Sequence, residues 1–340
     1  MSSPQPLKYV RFIDLFCGIG GFRIAAEAAA KAQGIEAQCV FSSDIDADAQ
    51  TTYAANFGEK PHGDITRIEA DQIPDHDLLF GGFPCQAFSI CGDGRGFEDT
   101  RGTLFFEIAR ILEAKRPAAF VLENVKQLST HDNGNTMRVI HDTLCELGYH
   151  TRHKVLNALD FGLPQKRERT FIVGFQEPNG FRFPVGHLPM KPLEDLLQPE
   201  AEIAEFYRAS DKICAQRIAE YESYGKPSPT GRTIWHENKG GHISAYPYSC
   251  ALRAGASYNY LLVDGKRRLT EREMLRLQGF PETYKIACGY GATRKQCGNS
   301  VAVPCVTAVI GSVIEAMGQV ETAGEAYRQD DAKPNQNPVE

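Results

Sequence analysis

The sequence predicts an α/β fold with a doubly wound, mostly parallel sheet and a smaller, β-rich inserted domain. Between residues 9 and 175, short apolar runs alternate with helix-like segments that end in glycine, such as Gly34, Gly58 and Gly148. This alternation is typical of strands joined by helical crossovers, which lie parallel in one sheet. It stops after about residue 178, where a stretch rich in Gly, Ser, Tyr and basic residues begins. We therefore expect a second domain of a different kind.

The elements follow from apolar runs and capping residues. Strands are predicted at residues 11–16, 39–43, 77–80, 118–122 and 170–175, and helices at residues 21–33, 46–56, 104–113, 136–147 and 211–224. A Thr270–Glu273 capping box opens a short helix that ends at Gly279. The final apolar helix, residues 301–317, has no wide polar face, so we expect it to be buried against the first domain. We assign residues 9–182 and 290–320 to the first domain, 183–289 to the inserted domain, and 321–340 to a disordered tail.

Composition argues against several classes of protein. The 340 residues carry 37 basic and 43 acidic side chains, which gives no global sign of a polyanion-binding protein. Ten cysteines occur without a Cys-x-x-Cys pair, which argues against a disulfide framework and a zinc site. The N-terminus lacks the apolar core of a signal peptide, and Pro304 and Glu315 interrupt the longest apolar run. We expect a soluble cytoplasmic protein that binds neither metal nor membrane.

Residues 77–89, DLLFGGFPCQAFS, point to a nucleophile. An apolar strand runs into Gly81 and Gly82 and delivers Cys85 to the carboxyl edge of the sheet, where open α/β folds bind ligands. An isolated cysteine is more often a small buried hydrophobic residue, so this assignment depends on the other segments.

Carboxylates at successive strand ends suit an adenosine ligand without a pyrophosphate. The first strand leads into residues 14–21, DLFCGIGG, a glycine-rich turn whose backbone amides can approach a ligand closely. Arg23 stands where the dinucleotide fingerprint requires its last glycine. Asp44 and Asp64 follow the next strand ends, where they can accept hydrogen bonds from ribose hydroxyls and an adenine amino group. Helix capping is the alternative role for each carboxylate.

Polar residues also follow the strands near Cys85. Glu123 ends the strand at residues 118–122, and a carboxylate beside a reactive cysteine can serve as a general acid. A lone Glu is more often a cap or an ion-pair partner. Arg167 and Arg169 enter the last strand of the first domain at alternate positions, so we expect them to project together toward the site.

Seven motifs in order resemble those of the DNA (cytosine-5)-methyltransferase family of the bacterial restriction-modification type. They read DLFCGIGG, GDIT, GGFPCQAFS, ENV, QKRER, RRLTEREMLRLQGFP and QCGNS. The resemblance covers residues 11–174 and 266–308, while residues 178–264 match weakly. It implies a Rossmann-like catalytic domain that uses S-adenosylmethionine, and it makes the inserted domain a target-recognition domain. One departure is Cys91, where the family pattern has a serine, and this puts only a loop contact in doubt.

The resemblance also implies roles for individual residues. Cys85 adds to carbon 6 of a flipped-out cytosine, Glu123 stabilises the ring through N3 and the exocyclic amine, and Arg169 contacts O2. Arg167 is expected to assist near the sugar-phosphate. The implied cofactor contacts are Phe16, Gly18, Gly20, Asp44, Ile45, Asp64, Ile65, Pro84, Leu104, Asn299 and Ser300.

DNA contacts are expected in two regions. Between residues 226 and 285, Lys and Arg outnumber Asp and Glu and several aromatic residues lie among them; the candidates are Lys239, His242 and Arg253. The alternative is a small β-rich domain with a solvated basic face. Glycines within residues 88–103 predict a mobile lid, in which Arg101 would reach a phosphate and Ser89 would lie near the extruded nucleotide.

The expected partner is duplex DNA, bound by a monomer that is paired in function with a restriction endonuclease. One alternative is an RNA cytosine methyltransferase, since a similar catalytic set can act on tRNA. A catalytically inactive DNA-binding regulator is disfavoured because Cys85, Glu123 and Arg169 occur together. A nicotinamide oxidoreductase is disfavoured by the interrupted glycine fingerprint. The recognised DNA sequence cannot be read from residues 226–264.

Overall fold

The computed structural model describes residues 7–83, 104–225, 227 and 229–318. The strands are β1 Tyr9–Leu15, β2 Glu36–Ser43, β3 Leu78–Gly82, β4 Ala119–Val125, β5 His150–Asn157, β6 Gln165–Lys166, β7 Glu168–Phe175, β8 Ile234–Glu237, β9 Ile243–Tyr246, β10 Ser249–Cys250 and β11 Leu261–Val263. The α-helices are α1 Gly21–Ala32, α2 Ala47–Phe57, α3 Leu104–Lys115, α4 Asn135–Glu146, α5 Asp211–Ser223, α6 Glu271–Gln278, α7 Tyr290–Asn299 and α8 Val303–Gly318. The predicted helices are all present within about two residues of their expected bounds, whereas α7 was not predicted.

The main sheet has six strands in the order β2-β1-β3-β4-β7-β5. The pairs β1–β2, β1–β3 and β3–β4 are parallel, as expected for strands joined by helical crossovers. Their carboxyl ends therefore meet at one edge of the sheet. The predicted α/β class with a mostly parallel sheet is confirmed.

Two features of this sheet differ from the sequence prediction. Strand β5 was not predicted, because it lies at the sheet edge and only Leu156 of its eight residues is buried, so it lacks an apolar run. Strand β7 pairs antiparallel with both β4 and β5. A short connection through β6 joins β5 to β7, and such a connection suits antiparallel neighbours.

Helices cover both faces of the sheet, which makes it doubly wound. On one face, Phe12 and Phe80 pack in the same cluster as α1 and α8. On the other face, Ile13 and Leu79 pack against α3 and α4. Residues 12 and 13 separate to opposite sides because side chains alternate along a strand. The burial of α8 against α1, predicted from its apolar composition, is confirmed, and Gln33 Nε2 donates to Gly311 O across this contact at 2.9 Å.

Residues 290–318 are long and apolar enough to match a membrane-crossing helix by length and composition alone. In the fold this stretch is divided into α7 and α8 by Ser300–Ala302. A buried core helix passes the same test, and the packing of α8 in the core identifies it as one.

The region between β7 and α6 carries a separate antiparallel sheet in the order β11-β8-β9. Strand β10 instead pairs with β6, so Ser249 lies beside Gln165. Apolar side chains such as Ile234, Leu252 and Leu261 join the same core cluster as the main sheet. The inserted region is thereby packed firmly onto the strand that leads into β7. The predicted boundaries at residues 183 and 289 stay predictions, and the predicted tail at 321–340 lies outside the described residues.

Candidate active site

The carboxyl ends of β3 and β4 lie side by side, with Gly82 paired to Glu123 in register. Cys85 follows three residues after Gly82. Asn124 Nδ2 donates to Phe83 O at 2.9 Å, which fixes the chain at the point where it leaves β3. The predicted site residues Pro84, Cys85, Ser89 and Arg101, together with the predicted lid at 88–103, lie outside the described residues.

Glu123 forms an ion pair with Arg169 beside this strand end. Arg169 Nε lies 3.0 Å from Glu123 Oε1, and the two side chains are 16% and 10% exposed. The approach is not aligned for a hydrogen bond, so Glu123 Oε1 is a buried acceptor without a hydrogen-bond partner among the described residues. Glu123 Oε2 lies 4.0 Å from the place where a Cβ on Gly82 would be. The nearly buried carboxyl group of Glu123 therefore lies beside the end of β3, with Oε2 toward Gly82 and Oε1 toward Arg169.

Arg167 differs from the expectation that it would project with Arg169. Its side chain is 3% exposed, and Nη1 donates to Leu252 O at 3.1 Å. Nη2 donates to Gly298 O at 3.2 Å and to Ser300 O at 2.5 Å. The alternation rule does not extend to Arg167 because it lies between β6 and β7, where the strand is interrupted. The pKa of the Arg167 guanidinium is lowered to about 9, chiefly by burial and in addition by the charge of Arg169, while Glu123 opposes the fall. Arg167 thus contacts main-chain carbonyls rather than an open site.

The glycine-rich turn after β1 is closed by Asp44. Gly18 and Gly20 have φ values of +53° and +76°, which side chains with a Cβ rarely adopt. Asp44 Oδ2 accepts from Gly18 N at 2.7 Å and Oδ1 accepts from Asp46 N at 2.8 Å. Burial raises the pKa of the Asp44 carboxyl above its ordinary value, although these two N–H groups oppose the rise. Each oxygen keeps capacity for a second donor, such as a ligand hydroxyl.

Two residues beside this turn are exposed or strained in a way that favours ligand contact. Phe16 has a φ of +57°, which is uncommon for a bulky residue. Residues with such backbone angles are found more often than average at binding sites. Ile45, directly after Asp44, is 74% exposed although it is a large apolar residue. An apolar ligand surface such as an adenine ring would cover it favourably.

Asp64 lies close to Asp44 because His62 pairs with the end of β2, where Asp44 N donates to His62 O at 2.9 Å. Its Oδ1 accepts from Thr66 N at 3.0 Å and from Thr66 Oγ1 at 2.8 Å, so the capping alternative holds for Asp64. The hydrogen bonds from Thr66 lower the pKa of the Asp64 carboxyl. The Ile65 side chain is only 3% exposed and packs in the core, which leaves its main chain for any ligand contact.

The remaining predicted cofactor residues within the described part of the chain lie at helix ends. Leu104 is the first residue of α3. Asn299 and Ser300 end α7, and a Cβ on Gly21 would lie 3.0 Å from Ser300 Oγ and 2.7 Å from Val301 Cγ2. The Ser300 segment therefore touches the start of α1. A Cβ on Gly18 would have no atom within 4 Å, so the turn faces open space there. An adenosine-containing group fits this edge of the sheet.

Asp14, the first residue of the glycine-rich motif at 14–21, was not among the predicted cofactor contacts. Its side chain is fully buried, and neither carboxyl oxygen has a hydrogen-bond partner among the described residues. Burial raises the pKa of Asp14 well above its ordinary value, the nearby Asp44 adds to the rise, and Arg23 opposes it only in part. The base of the glycine turn thus contains a buried carboxyl group whose pKa is raised well above the ordinary value for an aspartate.

The three predicted DNA contacts lie around two adjoining cavities of the inserted region. A cavity of about 470 Å³ is lined by Lys166, His236, Asn238, His242, Ser244, Tyr246, Tyr248 and Cys250. A second, of about 440 Å³, is lined by Glu237, Asn238, Lys239, Arg253, Gly255, Ala256, Ser257 and Tyr260. The sequence named only Lys239, His242 and Arg253. The others were missed because they come together from β6, the β8–β9 hairpin, β10 and the segment before β11, which are separated in the sequence.

Aromatic rings orient two of these candidates. The Arg253 guanidinium lies over the Tyr260 ring, 4.7 Å from its centroid. The His242 ring stacks on Tyr224 at 4.2 Å. Stacking of this kind fixes a side chain before a partner binds, which reduces the entropy lost on binding. Among the described residues, no group of three or more His, Cys, Asp or Glu side chains could hold a metal ion.

A glycine-rich turn with Asp44 and Asp64 at one sheet edge, and a nearly buried Glu123–Arg169 pair at the end of a neighbouring strand, are typical of an enzyme that transfers a group from a nucleoside-containing cofactor. Comparison with known families agrees, because residues 10–315 match the family described as C-5 cytosine-specific DNA methylase. The chain belongs to this family and is a methyltransferase. The resemblance inferred from the seven motifs is confirmed.

Several named methyltransferases are similar to this chain over nearly its whole length. Type II methyltransferase M.HaeII of Haemophilus aegyptius is 53% identical over 311 residues, covering 92% of this chain and 95% of the relative. Type II methyltransferase M.NgoBI of Neisseria gonorrhoeae is 52% identical, with 94% and 99% covered. Type II methyltransferase M.HhaI of Haemophilus parahaemolyticus is 42% identical, with 88% and 92% covered. Among solved structures, the Schizosaccharomyces pombe Dnmt2 methyltransferase shares the fold, with a TM-score of 0.70 at 20% identity over 91% of this chain and 99% of that chain.

Proposed function

We propose that this protein transfers a methyl group from S-adenosylmethionine to carbon 5 of a cytosine that is flipped out of a specific duplex DNA sequence. The observation that carries the proposal is the nearly buried Glu123–Arg169 pair, held at the strand end from which the chain leads to Cys85. Family membership restricts the acceptor to cytosine carbon 5. Flipping is required because carbon 6 of a stacked, paired base is closed to attack.

The chain supplies a nucleophile, an acid and a cation for this reaction. The Cys85 thiolate forms a bond to carbon 6, and the displaced electron pair makes carbon 5 nucleophilic. Glu123 is proposed to stabilise the ring at N3 and the exocyclic amine, with Oε1, which has no hydrogen-bond partner among the described residues, as an available acceptor, while Arg169 binds O2. After carbon 5 takes the methyl group, its proton is lost to a base and the carbon–sulfur bond breaks, which restores the thiolate. Carbon 5 methylation thereby leaves the enzyme unchanged.

The cofactor supplies an electrophilic methyl group on a sulfonium centre. In this proposal Asp44 binds the ribose hydroxyls, Asp64 receives the adenine amino group on the oxygen not used by Thr66, and Ile45 covers the adenine face. Gly18 and Gly20 let the main chain approach, and Ser300 borders the start of α1. Phe16, Ile65, Leu104 and Asn299 complete the surrounding contacts, together with Pro84 outside the described residues.

The two cavities of the inserted region are proposed to receive the DNA. Arg253, oriented by Tyr260, has the planar donor geometry that reads a guanine edge, while Lys239 suits a phosphate and His242 a base or a phosphate. We propose duplex DNA rather than tRNA as substrate, since the curated relatives named above are Type II methyltransferases. The same relatives support pairing with a restriction endonuclease and a cytoplasmic location. A monomer acting on the duplex is the simplest form consistent with one site per chain.

Bisulfite sequencing of DNA from cells that express the protein tests the proposal. One cytosine within one short recurring sequence should resist conversion throughout the genome. Purified protein should then transfer labelled methyl groups to a duplex with that sequence and not to an equal mass of bulk tRNA. Labelling of tRNA in place of the duplex would contradict the proposal, as would uniform conversion of all cytosines.

A further inference from the structure

Arg167, which directly precedes β7, is hydrogen-bonded both to the inserted region and to the end of α7. Its guanidinium donates to Leu252 O in the inserted region and to Gly298 O and Ser300 O at the end of α7. Arg169, two residues on, forms the ion pair with Glu123. A single buried side chain is thus hydrogen-bonded to the segment that precedes Arg253 and to the segment that touches the start of α1.

The two segments that Arg167 joins are also in direct contact. A Cβ on Gly298 would lie 2.3 Å from Ala254 N and 2.7 Å from Arg253 C, so only glycine allows this approach of the main chains. Arg253 lines the recognition cavity, and its N–H donates to the Tyr260 hydroxyl at 2.8 Å. Any shift of the Arg253 main chain therefore has to displace residue 298 or open the contact.

Two buried glutamines extend the network around Arg167. Gln165 Oε1 accepts from Leu252 N at 3.0 Å, and Gln165 Nε2 donates to Leu277 O at 2.8 Å. Gln278 Nε2 donates to Cys297 O and, at 3.4 Å, to Ser300 O. Both side chains are fully buried. Polar networks of this kind have few alternative arrangements, because every broken hydrogen bond leaves a buried group unpaired.

One donor of the network is left over. Arg167 Nε is buried and has no hydrogen-bond partner among the described residues. A buried unpaired donor is rare in native proteins and carries a free-energy cost. A rearrangement of the residues around Arg167 that gives its Nε an acceptor would therefore lower the free energy of this network.

We propose that Arg167 is a positioning residue that couples recognition of the DNA sequence to the cofactor site and to the Glu123–Arg169 pair. The proposal rests on the function proposed above. When Arg253 binds its base, the position of the neighbouring Leu252 becomes fixed. Because Arg167 donates to Leu252 O and also to Gly298 O and Ser300 O, the positions of residues 298 and 300 become fixed as well. Ser300 borders the turn that holds the cofactor. With a mismatched DNA sequence the position of this segment is not fixed, so binding of the DNA then increases the affinity for the cofactor less.

The test measures this coupling in the full-length protein with S-adenosylhomocysteine as probe. Its Kd is determined in the presence of a duplex with the recognised sequence and of a duplex with one base pair of that sequence changed, and the ratio of the two values is the coupling factor. For the parent we expect a factor above about fivefold, the lower end of ordinary allosteric coupling. Arg167→Met, which keeps the volume and removes the donors, should bring it close to one. Arg167→Lys should give an intermediate factor, because one ammonium cannot span Leu252 O and Ser300 O together.

Arg267→Lys is the matched control. Arg267 is equally buried and donates to Glu200 and Glu273, away from both segments. The Arg267→Lys substitution should lower the free energy of unfolding while leaving the coupling factor at the parental value. Turnover should show the same division, with kcat reduced on the recognised duplex in Arg167→Met and retained in Arg267→Lys.

Each result is decisive. A parental coupling factor in Arg167→Met, or an equal loss in Arg267→Lys, overturns the proposal, and so does a parent whose factor is one. If Arg167→Met does not fold, Gln278→Met removes a second donor to Ser300 O and should reduce the factor by about half; an unchanged factor there is also contrary. A parent that methylates no duplex would contradict the proposed function, whereas normal methylation with unaltered coupling would contradict this inference alone.

Discussion

Replacing Glu123 by Gln removes one charge from a nearly buried pair while preserving shape. Arg169 Nε lies 3.0 Å from the carboxylate, and the two side chains are only 16% and 10% exposed. Gln can no longer supply a proton to the ring, so the chemical step should slow by about 10²–10⁴-fold, or roughly 3–5 kcal/mol of barrier. Arg169 retains its hydrogen bond to Glu168 O at 2.8 Å. We therefore expect the free energy of unfolding to fall by only about 1–3 kcal/mol, the range for a buried polar group that loses its partner.

Single-turnover methylation of a preformed complex with the recognised duplex separates the two effects, because it excludes binding and product release. Urea unfolding of the same preparations gives the stability. Glu168→Gln is the matched control, since this neighbouring carboxylate pairs with Lys126 at 2.8 Å on the surface and should matter little to either quantity. A single-turnover rate for Glu123→Gln within about twofold of the parent would refute the assigned role.

Cys85→Ala should abolish methyl transfer and leave the Kd for the recognised duplex nearly unchanged, as measured by filter binding; residual transfer above background would exclude Cys85 as nucleophile. Asp14→Asn should stabilise the protein more at pH 8 than at pH 5. Because the folded-state pKa of Asp14 is raised above its unfolded value, the parent loses stability as the pH rises through that folded pKa, whereas Asn does not titrate. Urea unfolding at both pH values checks this, and parallel pH dependences for parent and variant would count against it. Exchanging residues 226–264 for the matching region of a relative should change the methylated sequence without changing the Kd for S-adenosylhomocysteine; a hybrid that folds and keeps the original site would place recognition elsewhere.

The parts of the fold that could be predicted are those that local physics determines. The glycine turn after β1, the α2 and α6 helices with their caps, and the buried α8 follow from apolar runs, cap residues and turn residues in the immediate sequence. Asp44 and Glu123 were placed correctly because parallel strands bring their carboxyl ends to one edge. Strand β5 could not be recognised, since it owes its place to pairing with β7 and not to an apolar pattern of its own.

The parts that could not be predicted depend on contacts between distant residues. Arg167 and Arg169 are alike in the sequence, yet a strand break turns one toward carbonyls of residues 252, 298 and 300 and leaves the other beside Glu123. The lining of the two cavities of the inserted region depends on how the β8–β9 hairpin packs with β6 and β10.

Among the described residues, the hydrogen bonds that Arg167 donates all go to main-chain oxygens, and this affects how such a protein can be redesigned. A carbonyl is present whatever the side chain, so the contacts at residues 252, 298 and 300 place no demand on side-chain identity beyond the glycine that the close approach requires at 298. Side chains at the cavity walls, such as His236, Ser244 and Tyr246, can then be randomised in a library without disturbing the link to the rest of the enzyme. If these cavities read the DNA as proposed, selection for a new target sequence can change their walls while the main-chain contacts of Arg167 are kept.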